Sequence, residues 1–67
     1  MNKILYLTYD GLTDPLGQSQ VLPYLIELSK NNEIHIISCE KKDNLNKFKQ
    51  DIDNLLIDSN IQWHPLK

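Results

Sequence analysis

The chain has 67 residues, 40% of them hydrophobic, and a formal net charge of -2. These values exclude a disordered tail, leave room for one small domain or a piece of one, and give no cationic footprint for a nucleic-acid backbone or an anionic lipid surface. A domain of about 60 residues buries only roughly 60% of its unfolded surface, so a chain this short draws on a partner or on further sequence for stability. Cys39 is the single cysteine. It rules out an intrachain disulfide and a thiolate metal cluster and points to a reducing, cytoplasmic setting.

The first apolar run, Ile4-Leu5-Tyr6-Leu7-Thr8-Tyr9, follows Met1-Asn2-Lys3. It is too short for a signal peptide or a membrane span, and the chain reads as starting at a natural beginning. Continuous β-favouring character predicts a strand over residues 4–9, covered on both faces as in the middle of a parallel sheet.

Next comes the polar stretch Asp10-Gly11-Leu12-Thr13-Asp14-Pro15-Leu16-Gly17-Gln18-Ser19-Gln20. A loop from Asp10 to about Gln18 exceeds the usual connection of about two to six residues and is a functional candidate. Val21, Leu22, Leu25, Ile26 and Leu28 then recur with helical spacing, which predicts a helix over residues 19–30 with a late start or slight kink at Pro23.

Ile34 to Cys39 reads as a second strand. Asp43, as N-cap, opens a helix whose apolar stripe is Leu45, Phe48, Ile52, Leu55 and Leu56. Ser59-Asn60 breaks the pattern, and residues 61–64 read as a third strand closed by Pro65. The order βαβαβ, with right-handed crossovers, makes half of a doubly wound, Rossmann-like α/β parallel sheet in spatial order 3-2-1. The first strand then lies at an open edge, and whole proteins seldom leave such an edge bare. The chain therefore reads as the opening of something longer.

Gly11 and Gly17 permit close backbone approach or positive φ, and Gln18, Ser19 and Gln20 offer neutral donors beside a helix N-terminus. Diphosphate or sugar hydroxyls suit such donors; equally, the glycines and Pro15 merely shape a long turn. Asp10 and Asp14 repel a bare phosphate and suit hydroxyl binding better. Glu40 stands where a dinucleotide fold places its ribose carboxylate, but the loop lacks G-x-G-x-x-G, so Glu40 reads as part of a solvated charged turn. His35 reads as a structural strand histidine. His64 lies beside Trp63 at the C-terminal end of the third strand, where sites form, and reads by itself as an incidental strand-end residue.

The run from Tyr9 through the loop to Val21-Leu22-Pro23-Tyr24-Leu25 resembles the first loop and helix of bacterial glycosyltransferases of family 4, and Ile61-Gln62-Trp63-His64-Pro65-Leu66 resembles their third strand. The likeness runs from Ile4 to Leu66. It implies the GT-B architecture, in which an N-terminal Rossmann-like domain takes the acceptor and a C-terminal one holds a nucleotide-sugar. Only the first part of the acceptor-side domain is then present, over residues 1–67. By resemblance, Gly17, Gln18 and Ser19 face the donor's diphosphate and sugar, and Asp10, Gly11, Asp14 and His64 border the acceptor. The family more often carries two adjacent glycines where this chain has Leu16-Gly17.

The family's donor-gripping carboxylates and its N-domain histidine fall beyond Lys67. The resemblance thus implies no catalytic residue in this chain, no activity for it alone, no metal and no cofactor. The nucleotide-sugar is a co-substrate of the parent hexosyltransferase-type enzyme, and backbone dipoles and basic side chains stabilise the leaving diphosphate. The acceptor is a glycan, a lipid-linked molecule or a small molecule. Nucleic acid is no partner, and a lipid-linked acceptor brings peripheral contact at the inner face of the membrane. The competing expectation is a small, non-catalytic α/β binding or interaction module.

Overall fold

A computed structural model describes residues 2–66. Three parallel strands, β1 (Asn2–Thr8), β2 (Asn32–Cys39) and β3 (Ile61–Leu66), form one sheet in the order β1-β2-β3. Helix α1 (Leu22–Leu28) connects the first pair of strands and α2 (Lys42–Leu56) the second. The α/β class, the βαβαβ order and the edge position of β1 are as the sequence predicts, and they are compatible with half of a Rossmann-like sheet. Among the described residues no helix is long and apolar enough to cross a membrane.

Strand alternation decides which face carries the core. Ile34, Ile36 and Ser38 of β2 are buried, whereas their neighbours on the other face are not. Register pairs Ile4 with Ile34 and Tyr6 with Ile36 on one side, and Ile36 with Trp63 on the other. Both helices pack on this face: Leu22 and Leu25 of α1, Ile52 and Leu56 of α2, Ile34, Ile36 and Ile61 of the sheet, and Leu12 form the buried cluster. Full burial of each such side chain contributes about 1.5–3 kcal/mol.

The opposite face is open. Leu5 and Leu7 are 62% and 65% exposed, so β1 is covered on one face and not on both. Its continuous apolar run supplies one face of a core and one face that the described residues leave bare.

The first helix starts earlier than its apolar spacing predicts. Pro15 and Leu16 are already helical, so the irregular part of the loop is confined to residues 9–14. Pro15 suits a first helical position, where its missing N–H costs nothing and its φ is pre-set. Gly17–Val21 then form a π turn, in which the Leu22 N–H donates to the Gly17 carbonyl. Pro23 explains the widening: in regular α geometry its ring crowds the carbonyl of Ser19, and it has no N–H to offer. The kink expected at Pro23 is thus taken up one turn earlier.

The end of α1 is tied to the start of β2 and to the residue before β3. The Ser29 N–H donates to Leu25 O and its hydroxyl to Ile26 O, while Asn32 Nδ2 caps Leu28 O and Asn60 Nδ2 donates to Ser29 O at 2.9 Å.

Helix α2 begins at Lys42 with Lys41 as its cap residue. Asp43 therefore lies in the first turn, where its charge suits the helix dipole, instead of capping it. Leu45, Ile52 and Leu56 are buried and Phe48 is half-buried, but Leu55 is 60% exposed, so the stripe is narrower than its spacing suggests. Strand β3 runs through Pro65, opposite Ser38, and ends at Leu66. Proline is tolerated there because β3 is an edge strand among the described residues, with one side of its backbone unpaired.

Candidate functional site

The β1–α1 loop sits at the C-terminal ends of the strands, the edge where open α/β sheets bind ligands. It is knitted together locally. The Thr8 hydroxyl donates to Asp10 O and accepts from the Asp10 N–H, both at 3.1 Å. Asp14 N–H donates to Gly11 O at 3.2 Å, and Asp14 Oδ2 accepts the Gly11 N–H at 3.3 Å. Asp14 O takes the Gln18 N–H, and Oδ1 takes Asn44 Nδ2 from α2 at 3.2 Å. Gln18 Nε2 returns to Thr13 O at 2.9 Å.

The loop's strongest anchor is Glu40, one residue past β2 and only 6% exposed. Its Oε2 accepts the Leu12 N–H at 2.9 Å and the Ser38 hydroxyl. Its Oε1 accepts the Thr13 N–H at 3.1 Å and the Thr13 hydroxyl at 2.7 Å. Ser38 Oγ in turn accepts the Trp63 indole N–H at 2.9 Å, which ties β3 into the same network. The solvated charged turn read for Glu40 is therefore incorrect: it is an internal hub. The alternation Ile34, Ile36, Ser38 continues in phase to Glu40 and is the sequence signal that places it on the core side. Leu12, 1% exposed, was likewise missed; it is a core side chain contributed by a loop.

Both loop glycines answer to close approach, since no described glycine has positive φ. A Cβ on Gly11 would lie 2.5 Å from Glu40 Oε1, and one on Gly17 would lie 2.9 Å from Leu12 Cα. Gly17 is buried against the loop backbone. It packs the π turn onto residues 11 and 12, a role that sequence spacing did not reveal.

The structure thus brings together Gly11, Asp14, Gly17 and Gln18. Asp10 and Ser19 are exposed, and the Asp10 carboxylate makes no hydrogen bond or ion pair among the described residues. His64 stands apart from the loop, on the open face of the sheet. Its ring stacks on His35 with centroids 6.1 Å apart and planes at 2°. His35 Nε2 also meets Glu33 Oε2 at 2.9 Å, and this hydrogen bond, helped by the charge of Lys3, holds the Glu33 carboxyl below its usual range.

Among the described residues no group of three or more His, Cys, Asp and Glu is placed to hold a metal ion. None of their buried side-chain nitrogen and oxygen atoms lacks a hydrogen-bond partner. The interior of the loop is therefore satisfied by the protein, and its outward chemistry comes from the Asp10 carboxylate, the Ser19 hydroxyl and the Gln20 amide.

Together these features define an α/β chain with a three-stranded parallel sheet and a built loop at its C-terminal edge. Compared with protein-family models, with curated proteins and with solved structures, the chain matches none.

Proposed function

We propose that this chain is the opening, acceptor-side part of a family-4 glycosyltransferase with GT-B architecture, which transfers a sugar from a nucleotide-sugar to an acceptor. The observation that carries this reading is the loop sequence from Asp10 to Gln20 leading into Val21-Leu22-Pro23-Tyr24-Leu25. The parallel βαβαβ arrangement and the position of the loop at the strands' C-terminal ends support it. The enzyme works in the cytoplasm, and the catalytic carboxylates and the nucleotide-sugar pocket belong to a C-terminal domain.

In this reading the chain contributes a rigid wall of the cleft. Asp10 and Ser19 reach the substrates, while Gly11, Asp14, Gly17 and Gln18 hold the wall in shape. A carboxylate facing hydroxyls accepts their hydrogen bonds without needing a metal.

The test is sugar transfer by the natural gene product, purified from its source and offered nucleotide-sugars, with Asp10→Asn as the variant. Asp10 is exposed and its carboxylate makes no hydrogen bond or ion pair among the described residues, so the substitution spares the fold. Transfer should fall by about tenfold or more, the worth of one charge-assisted hydrogen bond. Absence of transfer by the wild type, or full activity in the variant, contradicts the function or the site respectively.

A further inference from the structure

Two consecutive amides and a hydroxyl converging on one anion is the arrangement with which backbone nests hold phosphate. Here the anion is internal. Leu12 N–H, Thr13 N–H and the Thr13 hydroxyl all donate to the Glu40 carboxylate, and the Ser38 hydroxyl adds a fourth donor. Two donors fall on each oxygen, so the carboxylate is saturated and both amides are consumed. Gly11 leaves the room this requires, since a Cβ there would lie 2.5 Å from Oε1. On the outward side the loop presents Asp10, a further negative charge.

We propose that Glu40 fills the nest of Leu12 and Thr13 from within, acting as the positioning residue of the loop, and that the substrate group lying on its Asp10–Thr13 stretch is a hydroxyl-bearing one and not a phosphate. The substrate half rests on the function proposed above; the nest stands on its own. A diphosphate brought to these amides has to displace a buried, four-times-bonded carboxylate and pass a second one. A sugar hydroxyl meets Asp10 as a donor meets an acceptor.

The test uses the natural gene product at its full length and NMR readouts independent of sugar transfer. In the wild type, through-hydrogen-bond couplings should link the Leu12 and Thr13 amide nitrogens to the Glu40 carboxyl carbon. Titration with inorganic pyrophosphate should leave both amide resonances in place.

Glu40→Gln then probes the pairing. Gln offers one acceptor oxygen and one NH2 group, and the Thr13 and Ser38 hydroxyls can turn to accept from that NH2, but a backbone N–H cannot. Whichever way the amide sits, one of the two loop amides loses its partner. Its hydrogen exchange should quicken by about tenfold or more, while Ile36 and Ile52 keep their protection. Where the NH2 takes the Oε2 position, the Trp63 indole N–H resonance should move as well, because its acceptor Ser38 is repartnered.

Missing couplings in the wild type, or equal protection of both amides in Glu40→Gln, overturn the nest. A saturable shift of the Leu12 and Thr13 amides with pyrophosphate overturns the hydroxyl assignment. Intact couplings in a protein whose full-length form transfers no sugar leave the nest standing and remove the enzyme reading alone.

Discussion

A carboxylate at 6% exposure is costly unless its lone pairs are filled, and Glu40 has four donors to fill them. The same accounting recasts Gly17. Its place in the resemblance is beside the donor, yet its missing side chain is already required by Leu12 Cα at 2.9 Å. Gly17→Ala should cost about 1–3 kcal/mol in urea unfolding, because the neighbour it meets is backbone and cannot swing aside. Lost activity in a Gly17 variant is therefore weak evidence for a ligand contact, and for that reason Asp10 is the better probe.

Glu33 gives the residue-scale pH prediction. Its carboxyl is held below the ordinary range in the folded chain by the His35 hydrogen bond, with Lys3 adding to it. The unfolded state then binds the proton first as pH falls. Glu33's contribution to stability is present above the ordinary carboxylate range and is lost as pH falls through the lowered value. Melting temperatures of wild type and Glu33→Gln should differ at neutral pH and converge in strong acid. A gap that persists in acid contradicts the assignment.

At the scale of elements, strands and helices were legible where burial imposes a period. Ile34, Ile36 and Ser38 alternate because one face of β2 is covered, and Leu45, Ile52 and Leu56 recur because one stripe of α2 meets the sheet. The start of the first helix was not legible, because Gly17 and Pro23 read locally as breakers. Only the packing of Gly17 against Leu12 and the π turn before Pro23 let helical structure run through them. The candidate site was legible in part: the loop was found, but its anchor Glu40 lies twenty-two residues beyond Gln18 in sequence, and reading charge locally hid its phase with the core. Ile52→Ala should lower stability by about 2–5 kcal/mol, whereas Leu55→Ala should change it by less than about 0.5 kcal/mol. Chemical denaturation of the two variants checks which leucine and isoleucine positions face the sheet.

At the scale of the whole molecule, the two helices share one face of a three-stranded sheet and leave Leu5, Leu7 and Leu66 on the other side 62%, 65% and 52% exposed. The β1 edge is unpaired among the described residues. Both features fit the proposed opening of a larger α/β domain, in which further elements would cover the open face and the edge. They weigh against the stand-alone binding module, although the closed core around Leu12 and the absence of unpartnered buried polar side-chain atoms among the described residues keep that reading testable. A module would unfold cooperatively as an isolated monomer.

Whether this chain opens a longer enzyme is tested by the intact mass of the endogenous protein in its source cell, detected with an antibody against the α2 segment around Phe48. The chain shown here accounts for 7.8 kDa. A mass several-fold larger is expected, since the proposed acceptor-side domain would need completion and a nucleotide-sugar domain joined to it. A mass of 7.8 kDa would contradict that reading and favour a stand-alone remnant or module.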